Sequence, residues 1–376
     1  MKKFSPSMDN KKLLRLIAVI FSCCVSAQQQ QKIEMELVFT HDVAANMAGG
    51  IRQESFHLGN IDFIASADLW QGGTWFFYVL SNYGGMLSAA VGDLQVSNNI
   101  EATPHTRLYE FGYRHRWDKF TLTLGQNDLN ATFAISDHGL HFINSSFGIQ
   151  PELSTNVAIP IFPVAALGIV ADWQYSINAS FLVGVYDGDP GTPEGNPHSL
   201  LFQLGQEDGI LGIAEWQRTI SIANQTGKFR AGYWYSGRSS TRDDLSGFYA
   251  ILDQKIFSFE NNPNLGLALF GQWGIVQPKA SVFKSYFGAG AVYYGVFNRT
   301  RPDELGIAFA RATMSDSFRA SSYTTPYEGV VELSYTAALS KKWKLQPNLQ
   351  WILHPGANST IQNALVGVLR FEYSIF

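Results

Sequence analysis

Alternate positions along residues 108–117 place Tyr109, Phe111 and Tyr113 on one face and Glu110, Gly112, Arg114 and Arg116 on the other. The same period of two returns along the chain. Residues 120–127 set Phe120, Leu122 and Leu124 against Thr121, Thr123, Gly125 and Asn127. Residues 177–185 set Ile177, Ala179, Phe181, Val183 and Val185 against Asn178, Ser180 and Gly184. In residues 229–236 the faces are Phe229, Ala231 and Tyr233 against Arg230, Gly232 and Trp234. Residues 331–339 and 343–354 repeat it, with Val331, Leu333, Tyr335, Leu345, Leu349, Trp351 and Leu353 opposed to Glu332, Ser334, Thr336, Lys344, Gln346, Asn348, Gln350 and His354. Such runs are β-strands of about ten residues with one apolar and one polar face. Turn-forming clusters at 187–195, 237–244, 260–264 and 354–358 separate them.

No run reaches the ~18 apolar residues of a membrane helix; the nearest, residues 157–171, is broken by Pro160 and Pro163. Hydropathy is blind to strands that alternate between lipid and water, and the mean hydropathy of −0.04 is what such alternation gives. Composition agrees. Charged residues make up 15% of the 376 and aromatics 14%, with aromatics gathered near strand ends as an interfacial girdle needs. A soluble β-sandwich alternates too, but its strands are fewer and its exposed face is not aromatic. The expectation is an all-β fold, a transmembrane antiparallel β-barrel of about 16 strands.

The first residues read as an export leader. Lys2, Lys3, Lys11, Lys12 and Arg15 precede a short apolar stretch, and Val25-Ser26-Ala27 resembles a cleavage site. Residues 1–27 are the expected signal peptide and 28–376 the barrel. Cys23 and Cys24, the two cysteines of the chain, fall inside the leader, and bulky Phe21 disfavours a lipid anchor at Cys23. Cleavage removes five basic residues and only Asp9 among the acids, so the exported chain is more acidic than the −4 of the whole. That balance excludes nucleic acid as a partner.

Several stretches resemble the carbohydrate-selective porins of the OprB type in Gram-negative outer membranes. They are TRLYEFGYRHRW (106–117), LGQNDLNATF (124–133), FPVAALGI (162–169), YDGDPG (186–191), GFYAILDQ (247–254), GLALFGQWG (266–274), YYGVFNRTRPDELGIAFA (293–310), VELSYTAAL (331–339) and PNLQWILHPG (347–356). The match is looser over the first eighty residues after the leader, and no peptidoglycan-attachment segment is recognised. The resemblance implies a 16-stranded barrel in the outer membrane, often a homotrimer, that passes small neutral carbohydrates by diffusion.

Catalytic signatures are lacking: there is no G-x-S-x-G elbow, H-E-x-x-H, Walker loop or paired-cysteine site. No metal or cofactor is expected. Asp187, Asp189 and Glu194 lack the ligand and glycine spacing of a calcium loop. Parity instead sends Glu110, Arg114, Arg116, Asp172, Arg230, Trp234, Asp253, Glu332, Gln350 and His354 into the lumen as candidates for contact with solute. Their mixed charge suits neutral hydroxyl groups better than an ion of either sign. The alternatives are a general diffusion porin, a barrel enzyme with a Ser-His pair, and a closed structural or adhesive barrel. The Pro-containing residues 156–163 are the expected inward-folded constriction. Further expected partners are outer-membrane lipid and the assembly machinery, which would read the last strand ending in Phe376. Because Leu369, Phe371, Tyr373 and Ile375 share one face, Phe376 falls on the other unless a bulge intervenes.

Overall fold

The computed structural model describes residues 32–191, 195–202, 205, 208–237, 244–277, 282–320 and 324–375. The expected leader and Phe376 lie outside them. Sixteen strands form one closed antiparallel barrel in which each pairs with its neighbours in sequence. They are β1 Ile33–Gly50, β2 Glu54–Trp70, β3 Gly73–Gly84, β4 Thr106–Trp117, β5 Phe120–Asn127, β6 Ala166–Ser176, β7 Ala179–Asp187 and β8 Ile210–Ile222. The second half runs β9 Gln225–Ser236, β10 Leu245–Phe259, β11 Asn262–Val276, β12 Phe283–Tyr294, β13 Glu304–Met314, β14 Tyr327–Ala338, β15 Trp343–Leu353 and β16 Gln362–Ser374. The ring closes where β1 meets β16, with Asp42 opposite Arg370 and their side chains 2.8 Å apart. No described helix is long and apolar enough to cross a membrane. The crossing is made by strands, whose backbone groups are satisfied only because the sheet has no edge.

The two rims differ. One carries two-residue turns such as 118–119, 177–178 and 223–224, together with the first and last strands' free ends. Ala223 and Asn224 both take positive φ, the geometry whose twist matches a tight hairpin. The other rim carries long connections, among them 85–105, 128–165 and 188–209. Short turns mark the periplasmic side of such barrels and long loops the outside.

Outward positions are apolar and exposed: Ile169, Val183, Val185, Phe248, Ile307, Phe309 and Leu333. Rings cluster toward the short-turn rim, with Trp343 stacked on Tyr373 (4.3 Å), Trp173 beside Tyr175 (5.6 Å) and Trp70 against Tyr113 (5.5 Å). Aromatics there match the interface between headgroups and hydrocarbon.

Two points of register depart from simple alternation. Pairing between β3 and β4 slips between Tyr78 and Val79, leaving Tyr109 as an extra residue. This bulge turns Tyr109 inward and buries it, away from the apolar face shared by Phe111 and Tyr113. At the last strand, pairing with β15 runs unbroken from Tyr373 to Ala364, and the register shifts against β1 lie opposite residues 362–366 at the start of β16, so no bulge among its last described residues realigns the terminus.

The register predicts a sharp asymmetry. Leu333→Arg, on the lipid side of β14, should cost about 2–4 kcal/mol in urea unfolding from liposomes, whereas Thr336→Arg, on the lumen side, should cost far less.

Candidate functional site

Two of the long connections turn into the barrel. Residues 128–165 carry Leu129, Phe133, Phe142, Ile143, Phe147, Leu153, Val157 and Ile159, all buried against the inner wall. Residues 85–105 add Leu87 and Val91. Both run in short helical turns, such as Ser88–Val91, Ser145–Gly148 and Pro151–Ser154, the second started by Asn144, whose side chain accepts from the Ser146 N–H. The wall beneath is shaped to receive them. Its inward positions are small on β12 (Gly288, Gly290) and β13 (Ala308, Ala310, Ala312), so Phe142 and Phe147 reach Phe270 on β11 at 5.6 and 6.0 Å between ring centres. At Gly306 any Cβ would come within 2.8 Å of the Phe142 ring.

A segment folded into the lumen carries backbone N–H groups that have lost water, and each needs an acceptor. Wall carboxylates supply them. Glu332 accepts from the N–H groups of Ile143 (2.6 Å) and Asn144 (3.0 Å), and from the Asn348 amide. Asp253 accepts from Asp137 and His138 N–H at 3.1 Å and from the Ser136 hydroxyl at 2.8 Å. Glu328 takes the N–H groups of Gln95 (2.8 Å), Leu94 (2.9 Å) and Gly356 (2.6 Å). Glu215 accepts from Ala134 N–H at 2.9 Å, and Glu110 from Asp128 N–H at 2.9 Å. Gln350 joins the two segments: its carbonyl accepts from the Asn144 amide and its own amide donates to the Ser97 carbonyl. The segments also pair directly, Ser145 N–H to Val96 carbonyl and Asn99 N–H to Ile143 carbonyl.

The ten residues singled out by parity therefore separate into three sets. Arg114 and Arg116 are exposed on the lumen side of β4, with Glu110 and Asp172 half-buried beside them. Arg230, Trp234, Asp253, Glu332 and Gln350 also point inward, but the folded-in segments cover them. Trp234 is 0% exposed, which removes it from solute contact, and Arg230 is occupied by Asp253 (2.7 Å) and Asp137 (2.6 Å). His354 departs altogether: with φ of 54° just past β15, it sets its ring edge-on against outward-facing Tyr327, 4.8 Å away. Residues 156–163 do belong to the folded-in segment. Asn156 fastens them to the start of β12 through the Phe283 carbonyl (2.6 Å) and the Val282 N–H (2.9 Å).

Parity alone missed the anchors Glu328, Glu215 and Asp42, the bulged Tyr109, and polar residues of the uncovered wall. There, Tyr78 donates to Asp62 at 2.8 Å and Arg114 lies 5.6 Å over the Phe76 ring, while buried Tyr109 donates to Asp128 of the folded-in segment at 2.7 Å. Among the described residues no group of three His, Cys, Asp or Glu is arranged to hold a metal.

Burial pushes several carboxyls of the folded-in segments upward: Asp128 to about 6, Glu101 to about 7 and Glu152 to about 8. Glu152 sits against Gly274 of β11, where a Cβ would collide with its carboxyl, and neither oxygen has a hydrogen-bond partner among the described residues. A carboxyl raised in the seated segment binds its proton more tightly there than in water. Seating is therefore strongest below the ordinary value of 4.5 and weakens as pH climbs to about 8. The thermal midpoint should fall across that window, and Glu152→Gln should flatten the fall. Glu332→Ala strands two buried N–H groups, at about 1–3 kcal/mol each. Its expected outcome in planar bilayers is a larger, noisier single-channel conductance from a barrel that still inserts.

Comparison with known proteins agrees with this architecture. The family described as carbohydrate-selective porin, OprB family, matches residues 57–374. Porin B of Pseudomonas aeruginosa is 22% identical over 250 residues, which are 56% of this chain and 55% of that one, so the match spans about half the length of the curated relative. The high-pH structure of Pseudomonas putida OprB superposes with a TM-score of 0.81 at 19% identity, covering 91% of this chain and 94% of that one. The channel DcaP of Acinetobacter baumannii reaches a TM-score of 0.57 at 9% identity, over 93% and 99% of the two chains. Fold and family both point to a channel rather than an enzyme. This sixteen-strand barrel, with two connections folded against its inner wall and matched by the family over most of its length, belongs to the OprB family of carbohydrate-selective porins and resides in the Gram-negative outer membrane.

Proposed function

We propose that the barrel passes small neutral carbohydrates down their gradient, without a catalytic step or an energy source. The observation that carries this reading is the makeup of the wall left uncovered by residues 85–105 and 128–165. Arg114 and Arg116 stand there with Asp62 and Asp172, beside the Phe76 and Tyr78 rings, and Glu110 borders them where it accepts from the Asp128 N–H. Charges of both signs give an ion no net preference, while their donors and acceptors replace part of a sugar's hydration. The Phe76 ring offers an apolar surface to the C–H face of a pyranose. Each contact has to be weak, since a solute held tightly leaves slowly.

A general diffusion pore without sugar preference is the competing reading. Liposome swelling separates the two. Neutral mono- and disaccharides should swell proteoliposomes faster than amino acids or salts of similar size, whereas equal rates would favour the general pore and absence of swelling a closed barrel. Arg114→Ala together with Arg116→Ala should lower the sugar preference and shift conductance toward cations, leaving folding unchanged.

The barrel is further proposed to assemble as a trimer through the outer face of β1–β3. On that face His41 and Tyr83 are hydrogen-bonded at 2.9 Å and His57 stacks on His41 at 5.6 Å, polar groups that a subunit contact would shield from lipid. Crosslinking in native membranes should give trimers, and His41→Glu should reduce them to monomers.

A further inference from the structure

The outer wall holds a feature that neither solute passage nor the inner anchors use. Near the long-loop rim, Arg311 faces outward from β13 among Phe309 and Phe287, on the side that meets lipid. Its guanidinium makes no ion pair or hydrogen bond among the described residues. Its partner is the Tyr327 ring, 4.3 Å away.

The register places its ring partner toward the rim. Arg311 lies opposite Gly329, while Tyr327 lies opposite Thr313, two residues nearer the long-loop rim. The Tyr327 ring leans back over Gly329, where an added Cβ would lie 3.3 Å from its Cε2, and the Arg311 guanidinium meets the ring there. Ser285 of β12 pairs with Thr313, so Ser285, Thr313 and Tyr327 form a row across three strands at about 4.8 Å spacing. The His354 ring closes this row beyond Tyr327. Above it, Lys284 is matched by Asp316 at 3.1 Å, which leaves Arg311 as the uncompensated charge of the patch.

A guanidinium, two hydroxyls, a phenol and an imidazole thus stand together on a lipid-facing wall, at the level where hydrocarbon gives way to headgroups. We propose that this patch, centred on Arg311, binds the phosphorylated headgroup of an outer-leaflet glycolipid. Arginine presents a planar fork that matches phosphate oxygens in pairs, and hydroxyls complete the set. Stacking on Tyr327 holds the fork in place before the lipid arrives. Charge complementarity selects this occupant, since an acyl chain would leave the cation unmatched.

The test is native mass spectrometry of the full chain in detergent, titrated with bisphosphorylated lipid A, lipid A lacking its phosphates, or inorganic phosphate. The wild type should retain bisphosphorylated lipid A and not the dephosphorylated form, and millimolar inorganic phosphate should not displace it. Arg311→Ala should weaken retention about tenfold, the loss of one paired charge-assisted contact. Arg218→Ala, which removes an exposed arginine near the opposite rim, should retain lipid A like the wild type. Unchanged single-channel conductance establishes that each variant is folded, and Arg311→Gln carries the same comparison if the alanine variant fails to insert. Equal retention by wild type and Arg311→Ala, equal loss in Arg218→Ala, or displacement by inorganic phosphate would each overturn the proposal.

Discussion

The arrangement depends on one kind of contact: a carboxylate on the barrel wall accepting main-chain N–H groups from a segment that has left water. Glu332, Asp253, Glu328, Glu215 and Glu110 each do this at a different height and azimuth. Without them the 128–165 segment would carry orphaned donors into a dry contact, and the apolar burial of Phe142 and Phe147 would be opposed by their desolvation. With them the segment has a single seat. The acid side chains are fixed by rigid strands, so the path left beside the segment inherits the rigidity of the sheet.

Much of this was legible before the structure. Alternation over Phe120–Leu124, Phe181–Val185 and Leu333–Tyr335 named the lipid face, because a strand with one face in hydrocarbon tolerates no other pattern. What alternation could not give was cover. It sorts side chains into inward and outward, and Glu332 and Arg114 look alike by that rule, though one is sealed beneath a loop and the other open. A signal existed in the neighbouring strands. Ala308, Ala310, Ala312, Gly288 and Gly290 are poor residues for a solvated lumen, and small apolar positions pointing inward mark a surface against which something packs. Tyr109 and His354 escaped for backbone reasons, a bulge in one case and a left-handed residue past a strand end in the other.

The interior is consequently two-sided. From β7 to β14 the wall is a core, with Trp234, Tyr249, Phe270 and Tyr286 packed as in a soluble domain. On β4, toward the short-turn rim, it turns polar and exposed at Arg114 and Arg116, with half-buried Asp62, Phe76, Tyr78 and Asp172 on β2, β3 and β6. One sheet serves both because residues 85–105 and 128–165 cover part of its inner face and leave part exposed. In the proposed function selectivity follows from the wall left bare, so exchanging anchors on the covered side would alter the aperture and exchanging charges on the bare side its chemistry.

The seam between β1 and β16 brings the first and last strands of the barrel into register, down to the Asp42–Arg370 pair. Of the barrel's strands β1 is made first, and its neighbour β16 is made after the other fifteen. Until that strand arrives the growing sheet has two unsatisfied borders, which hydrocarbon rejects. The nascent chain must therefore be kept waiting, shielded in the periplasm, and a product truncated by a single strand has no way to complete the ring.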